Sequence, residues 1–296
     1  MSNGHIMCPP PEVLVSCQAS LGEGPVWVTA EQALYWVDIK GPLIWRYDWS
    51  TGGLHHFIPP FRVTCLAPRV QGGFVAGTDQ GFAFIDPDAS LYALWGDAEP
   101  DRPGNRFNDG KLDRAGRFWA GTMDDAEVER SGQLFRFDPD HSWSLQDKGY
   151  RVTNGPAFSS DGRTMYHSDS AAQLIYQFEL NETGEATNRR IFSSFGEGEG
   201  SPDGMTIDAA GDLWVAFWDG WCLRRFSPDG SCRETLQVPF QRPTSCAFAG
   251  PQLDRLVITS ARTGLSENEL ATQPLAGALL ITRPAVGGIE DVPFPG

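Results

Sequence analysis

One pattern recurs along this chain and leaves few folds open to it. At Ser201-Pro202-Asp203-Gly204 an acidic residue and a glycine lead into the short apolar run Met205-Thr206-Ile207. A turn, Ala209-Ala210-Gly211-Asp212, follows, and then a second run, Leu213-Trp214-Val215-Ala216. The layout returns at Asn108-Asp109-Gly110, with Phe118-Trp119-Ala120-Gly121 as its second run, and at Asn154-Gly155-Pro156, with Thr164-Met165-Tyr166-His167. A fainter copy begins at Glu23-Gly24-Pro25. Units start near Glu23, Thr64, Asn108, Asn154, Asp203 and Thr244, at steps of 41, 44, 46, 49 and 41 residues. That is the period of a four-stranded propeller blade. The runs are rich in aromatic and β-branched residues and bounded by Gly, Pro, Asp and Ser, which marks them as strands.

Six starts predict an all-β fold, a six-bladed β-propeller of four-stranded antiparallel blades, with residues 1–296 as one domain. No blade of this kind buries its apolar faces alone, so neighbours must stack. The ring must also close. The segment 13–17, Val13-Leu14-Val15-Ser16-Cys17, is expected as the outer strand that completes the last blade after Ala278-Leu279-Leu280-Ile281. No amphipathic helix stands out beyond one turn at 266–272. A β-sandwich is the alternative fold, and it leaves the repeat unexplained.

Composition narrows the partners. With 23 Lys and Arg against 38 Asp and Glu, the net charge is −15. This argues against nucleic acid and anionic membrane surfaces and favours a bound cation. No apolar run reaches the roughly 18 residues of a membrane span, and the start of the chain lacks the charged and apolar regions of a secretory signal. Six scattered cysteines without a CxxC pair read as reduced thiols, which makes the cytoplasm the expected location. A monomer acting on a small molecule is expected.

In a propeller the first strand of each blade lines the central channel, so equivalent positions converge whatever their separation in sequence. Glu23, Asn108, Asn154 and Asp203 occupy such positions. Taken singly, Glu-Gly, Asn-Gly and Asp-Gly are ordinary turn residues; four in register point to a site of hard oxygen donors. Such a set suits Ca, Mg or Mn, admits Zn or Fe(II), and disfavours copper.

The segments Leu21-Gly22-Glu23-Gly24-Pro25-Val26-Trp27, Arg106-Phe107-Asn108-Asp109-Gly110-Lys111 with Gly121-Thr122-Met123, Asn154-Gly155-Pro156 and Ser201-Pro202-Asp203-Gly204 resemble the signatures of the senescence marker protein/gluconolactonase/luciferin-regenerating enzyme family. The stretches Thr259-Ser260-Ala261-Arg262-Thr263-Gly264-Leu265-Ser266 and Pro274-Leu275-Ala276-Gly277 are similar to its bacterial sugar-lactonase members. The resemblance runs from about Leu14 to Ile281. It implies a six-bladed propeller, one divalent metal ion in the channel, and hydrolysis of aldonolactones. Glu23, Asn154 and Asp203 match the family's metal ligands. Asn108 matches an Asn that borders metal and substrate, Arg106 a substrate-contacting Arg, and Asp203 also the general base. Some members carry a substrate-contacting Glu shortly after Gly-Thr-Met. Here the run is Asp124-Asp125-Ala126-Glu127, and either Asp125 or Glu127 is a candidate for that role.

The expected activity is therefore metal-dependent hydrolysis of a pentono- or hexonolactone. A metal-binding regulatory propeller without turnover, or a hydrolase of phosphotriesters or aryl esters, are the alternatives. Other features carry less. His55-His56 falls in an outer strand, and His167-Ser168-Asp169 lacks the nucleophile elbow of a serine hydrolase. Trp218-Asp219-Gly220-Trp221 reads equally as a packing turn and as an aromatic rim for sugar.

Overall fold

The computed structural model describes residues 8–86, 88 and 90–296. Among the described residues, twenty-four strands form six four-stranded antiparallel sheets. The first strand of each sheet is Gly22–Val28, Val63–Pro68, Asn105–Leu112, Thr153–Phe158, Ser201–Ile207 and Pro243–Ala249. Each touches the first strands of the two flanking sheets, and the sixth touches the first. The six sheets are therefore the blades of a closed ring around one channel, a six-bladed β-propeller. The sandwich alternative does not survive this connectivity.

Burial follows from the ring. Second strands such as Ala33–Asp38 and Phe74–Thr78 are buried at every residue, because each face of a blade meets another blade. Their sequences are accordingly near-continuous apolar runs rather than alternating ones. Six apolar clusters fill the gaps, one per junction. Trp119, Leu134, Phe158 and Phe178 pack between the third and fourth blades, and Trp27, Trp36, Ala247 and Leu279 between the first and sixth. The others lie at the remaining four junctions. Outer strands face solvent; His55 and His56 are exposed on Leu54–Phe57.

The sixth blade joins the two ends of the chain. Its outermost strand is Glu12–Val15, paired antiparallel to Leu279–Thr282 with Val13 opposite Leu280. Cys17 lies beyond the paired stretch and donates its thiol to the Gly277 carbonyl. Ser266 caps the short α-helix Glu267–Thr272 through a capping box with Glu269. All six cysteines are free thiols, so no bridge joins Cys222 and Cys232. A feature absent from the repeat is the C-terminal tail. It bridges Asp208 through Gly288 and Arg69 through Phe294, burying the Phe294 ring in the junction of the second and third blades.

Candidate metal and substrate site

Register shifts interrupt the pairing of the first strands, and they fall at the channel-facing residues. They lie between Glu23 and Val26, Phe107 and Gly110, Asn154 and Ala157, and Pro202 and Met205. A bulge leaves one residue unpaired and re-aims the side chain beside it. The nearby glycine permits this. Gly155 adopts φ +82°, in the left-handed region that other residues avoid.

The result is a cavity of about 400 Å³ at one end of the channel, within the range of small-molecule sites. Glu23, Arg106, Asn108, Asn154 and Asp203 all line it, and each is less than a tenth exposed. Glu127 also lines it, from a turn where it takes φ +59°. Asp125 does not. It lines a separate opening with Arg62 and Asp79, and accepts from Arg106 Nε at 2.6 Å and from Arg62 Nη2 at 2.8 Å. Burial pushes the Asp125 carboxyl up, but these two guanidinium groups hold it below its ordinary value.

A chain of hydrogen bonds links these groups. Arg106 Nη1 donates to Asn108 Oδ1 at 2.8 Å. Asn108 Nδ2 donates to Asn154 Oδ1 at 3.0 Å and to the Thr153 carbonyl at 2.7 Å. Asn154 Nδ2 donates to Ser170 Oγ at 2.8 Å, and Ser170 Oγ donates to the Pro202 carbonyl at 2.6 Å. Both amide orientations are thereby fixed. Asn154 Oδ1 keeps one lone pair free for a further partner. Ser170, from the short 3₁₀ turn after the second strand of the fourth blade, carries no signal in the sequence. Its position outside a first strand hides it from the repeat.

The two carboxylates are less well provided for. Asp203 is raised well above its ordinary pKa by burial and by the nearby charges of Glu23 and Asp109; only the Gly204 amide opposes this appreciably. Glu23 is raised likewise by burial and by Asp109, with the Gly24 amide and Arg106 opposing. Buried like charges of this kind call for a cation. Among the described residues no three His, Cys, Asp or Glu side chains group to hold a metal ion. The donor set instead mixes two carboxylates with the Asn154 amide oxygen. Such hard oxygen donors, beside unneutralised charge, fit a divalent ion of the calcium or magnesium type.

The rest of the wall comes from other blades. Lys40, Trp218, Asp219, Arg242, Thr263 and Gly264 line the same cavity. Of these, the Trp218-Asp219 pair and the Thr263-Gly264 stretch belong to motifs visible in the sequence, whereas Lys40 and Arg242 belong to none.

Residues 21–262 match the family described as the SMP-30/Gluconolactonase/LRE-like region. The chain is 38% identical over 277 residues to a 6-deoxy-6-sulfogluconolactonase from Pseudomonas putida, covering 93% of this chain and 95% of that one. It is 36% identical over 293 residues to regucalcin from Xenopus laevis, covering 96% and 98%. A solved structure of the calcium-binding protein regucalcin from Agrobacterium tumefaciens superposes with a TM-score of 0.92 at 26% identity, over 98% of each chain.

Proposed function

The chain belongs to the SMP-30/gluconolactonase/LRE-like family, and on that premise we propose that it is a lactonase that hydrolyses a pentono- or hexonolactone to the aldonic acid with the help of one divalent ion. The observation that carries this reading is the convergence of Glu23, Asn154 and Asp203 with Arg106 on one cavity. The names of the Pseudomonas and regucalcin relatives support its two halves, lactone hydrolysis and cation binding.

Glu23, Asn154 and Asp203 would hold the ion, which supplies a Lewis acid for the lactone carbonyl oxygen. The remaining work falls to the chain itself. Arg106 has Nε and Nη1 committed to Asp125, Asn108 and the Phe107 carbonyl, which leaves Nη2 for sugar hydroxyls. Its planar fork is therefore fixed before substrate arrives. Asp203 is tied to no side-chain donor among the described residues and lines the same cavity as the Asn108 and Asn154 amides. It takes a proton from the attacking water onto a carboxylate oxygen as the water oxygen bonds to the carbonyl carbon. The ring C–O bond then breaks, and Asp203 returns the proton to the departing ring oxygen. Glu127, which lines the cavity, would meet a sugar hydroxyl, and Asp125 would contribute by holding Arg106.

A pH-stat measurement on pentono- and hexonolactones tests the reading. Acid release should be rapid, should stop in EDTA, and should return on adding back Ca, Mn or Zn. Acid release no faster than in buffer, or indifferent to chelation, would remove the activity or its metal dependence respectively.

A further inference from the structure

The geometry points to a second recognition element in the cavity: a cationic subsite, formed by Lys40 and Arg242, for an oxyanion carried by the lactone on the carbon furthest from its carbonyl. This deepens the lactonase reading and rests on it. In a closed ring of six blades, the junction of the sixth and first blades lies across the channel from that of the third and fourth. Arg106 and Asn154 belong to the third and fourth blades; Lys40 belongs to the first, and Arg242 and Thr263 to the sixth. A sugar lactone held by Arg106 and Asn154 thus extends toward Lys40 and Arg242.

These two cations meet on one residue. Lys40 Nζ donates to Thr263 Oγ1 at 3.2 Å, and Arg242 Nη1 donates to the Thr263 carbonyl. Lys40 is exposed, and no carboxylate pairs with it among the described residues. Its turn is pinned from below: Asp38 Oδ1 accepts from the amides of Gly41 and Leu21, and Asp38 Oδ2 from that of Ser20. Arg242 is held more firmly. Nε donates to Asp219 Oδ1 at 2.6 Å, and the guanidinium carbon lies 4.7 Å from the centre of the Trp218 ring. Nη2 is left without a partner among the described residues.

Gly264 makes this approach feasible. It takes φ +74°, and a Cβ there would collide with Arg242 Nη1. Asp219 offsets one positive charge, so the net cation is Lys40, with Arg242 supplying a directed N–H. A monoanionic or dianionic tetrahedral group, a sulfonate or a phosphate, matches one full charge plus one oriented donor. A neutral sugar terminus would form no direct ion pair with Lys40.

The test compares three substrates: an unsubstituted hexonolactone, its 6-sulfonate and its 6-phosphate. The wild-type protein should favour at least one anionic lactone in kcat/KM, through a lower KM. Lys40→Met should lower the anionic-to-neutral ratio by about 10- to 100-fold, the effect of one lost charge-assisted hydrogen bond. Lys40→Arg should restore most of it. The arms also separate sulfonate from phosphate. Calorimetry of the product acids, a 6-sulfonated aldonate against the plain aldonate, reads the same subsite without turnover. Tighter binding of the sulfonated acid that Lys40→Met abolishes supports the subsite even if neither lactone is hydrolysed, an outcome that would sink the lactonase reading alone. Equal affinities, or a ratio unmoved by Lys40→Met, overturn the subsite.

Discussion

Asp203, near the start of the strand Ser201–Ile207, and Asp208, just past its end, lie five residues apart, and both are buried. Their surroundings differ in kind. Asp208 Oδ1 accepts from the amides of Ala210 and Asp212 at 3.0 Å each, and Oδ2 accepts from Trp214 Nε1 at 3.1 Å. Arg225 Nη2 lies 2.7 Å from the same oxygen. Every lone pair has an owner, so the charge is stabilised where it stands. Asp113 does the same in the third blade, held by Trp119 Nε1 and Arg117 Nε. Asp203 has no such set. It faces Glu23 and Asp109 instead, and its pKa rises accordingly. One end of the strand spends its aspartate on the fold, whereas the other keeps a charge that the fold leaves unanswered. Buried carboxylates with this second pattern are the ones to read as functional.

Exchanging the charge at each end should separate the two roles. Asp203→Asn keeps size and one oxygen but removes the base. Turnover on a lactone should fall by about 10² to 10⁴, the usual contribution of a positioned base. In EDTA its denaturation midpoint should equal or exceed wild type, since a buried repulsion is relieved. Asp208→Asn should do the reverse. Breaking a buried pair with Arg225 and offering an amide N–H to Trp214 should cost about 3 kcal/mol in urea unfolding, with kcat on the folded protein close to wild type. Equal losses of stability and turnover in both variants would erase the distinction.

Much of this contrast is legible in the sequence alone. The six unit starts set the ring, and the ring makes Glu23, Asn108, Asn154 and Asp203 neighbours despite spans of 46 to 85 residues between successive members. Residues that act from first strands are therefore visible. Those that act from elsewhere are not. Ser170 sits in a turn after a second strand, Lys40 in another such turn, and Arg242 just before the sixth inner strand. Their roles depend on how far a turn leans over the channel, which no repeat records. Asp125 and Glu127 show the same limit at closer range. Two residues apart on one loop, they face different openings, Asp125 held by Arg62 and Arg106 and Glu127 in the left-handed region at φ +59°.

Asp125 sharpens the comparison from the other side, as a carboxylate that serves the site without lining it. Asp125→Asn leaves the size unchanged but weakens the clamp on Arg106 Nε and frees Arg62. The Asp125 side chain is 42% exposed, so screening limits the effect. KM should rise about three- to tenfold with kcat changing less, because Arg106 orients ground state and transition state alike. A fall in kcat at constant KM would place Asp125 among the reacting groups instead.

His167 sets a boundary on the rule. It is fully buried, and neither ring nitrogen has a hydrogen-bond partner among the described residues, yet it lines no part of the cavity. Its ring packs edge-on against Tyr150, 4.7 Å between centres. What distinguishes it from Asp203 is charge. Burial, with a smaller push from Arg189, drives its pKa down to about 3, so it stays neutral and needs no counter-ion. The consequence is an acid sensitivity with a definite sign. In the unfolded chain the imidazole titrates near 6.5, whereas in the folded protein it refuses the proton until about pH 3. Between those values the unfolded state binds the extra proton, so stability falls as pH drops through the window. One pH unit below 6.5 the contribution is about 1.4 kcal/mol. His167→Phe keeps a flat ring against Tyr150 and removes the titration. Urea unfolding of both proteins at pH 7.5 and 5.5 should therefore show wild type losing about 1.4 kcal/mol more than the variant, with carboxylate contributions cancelling between them. Identical losses would mean that the imidazole is protonated in the fold, and an unpartnered buried group would then no longer separate a structural neutral from a functional charge.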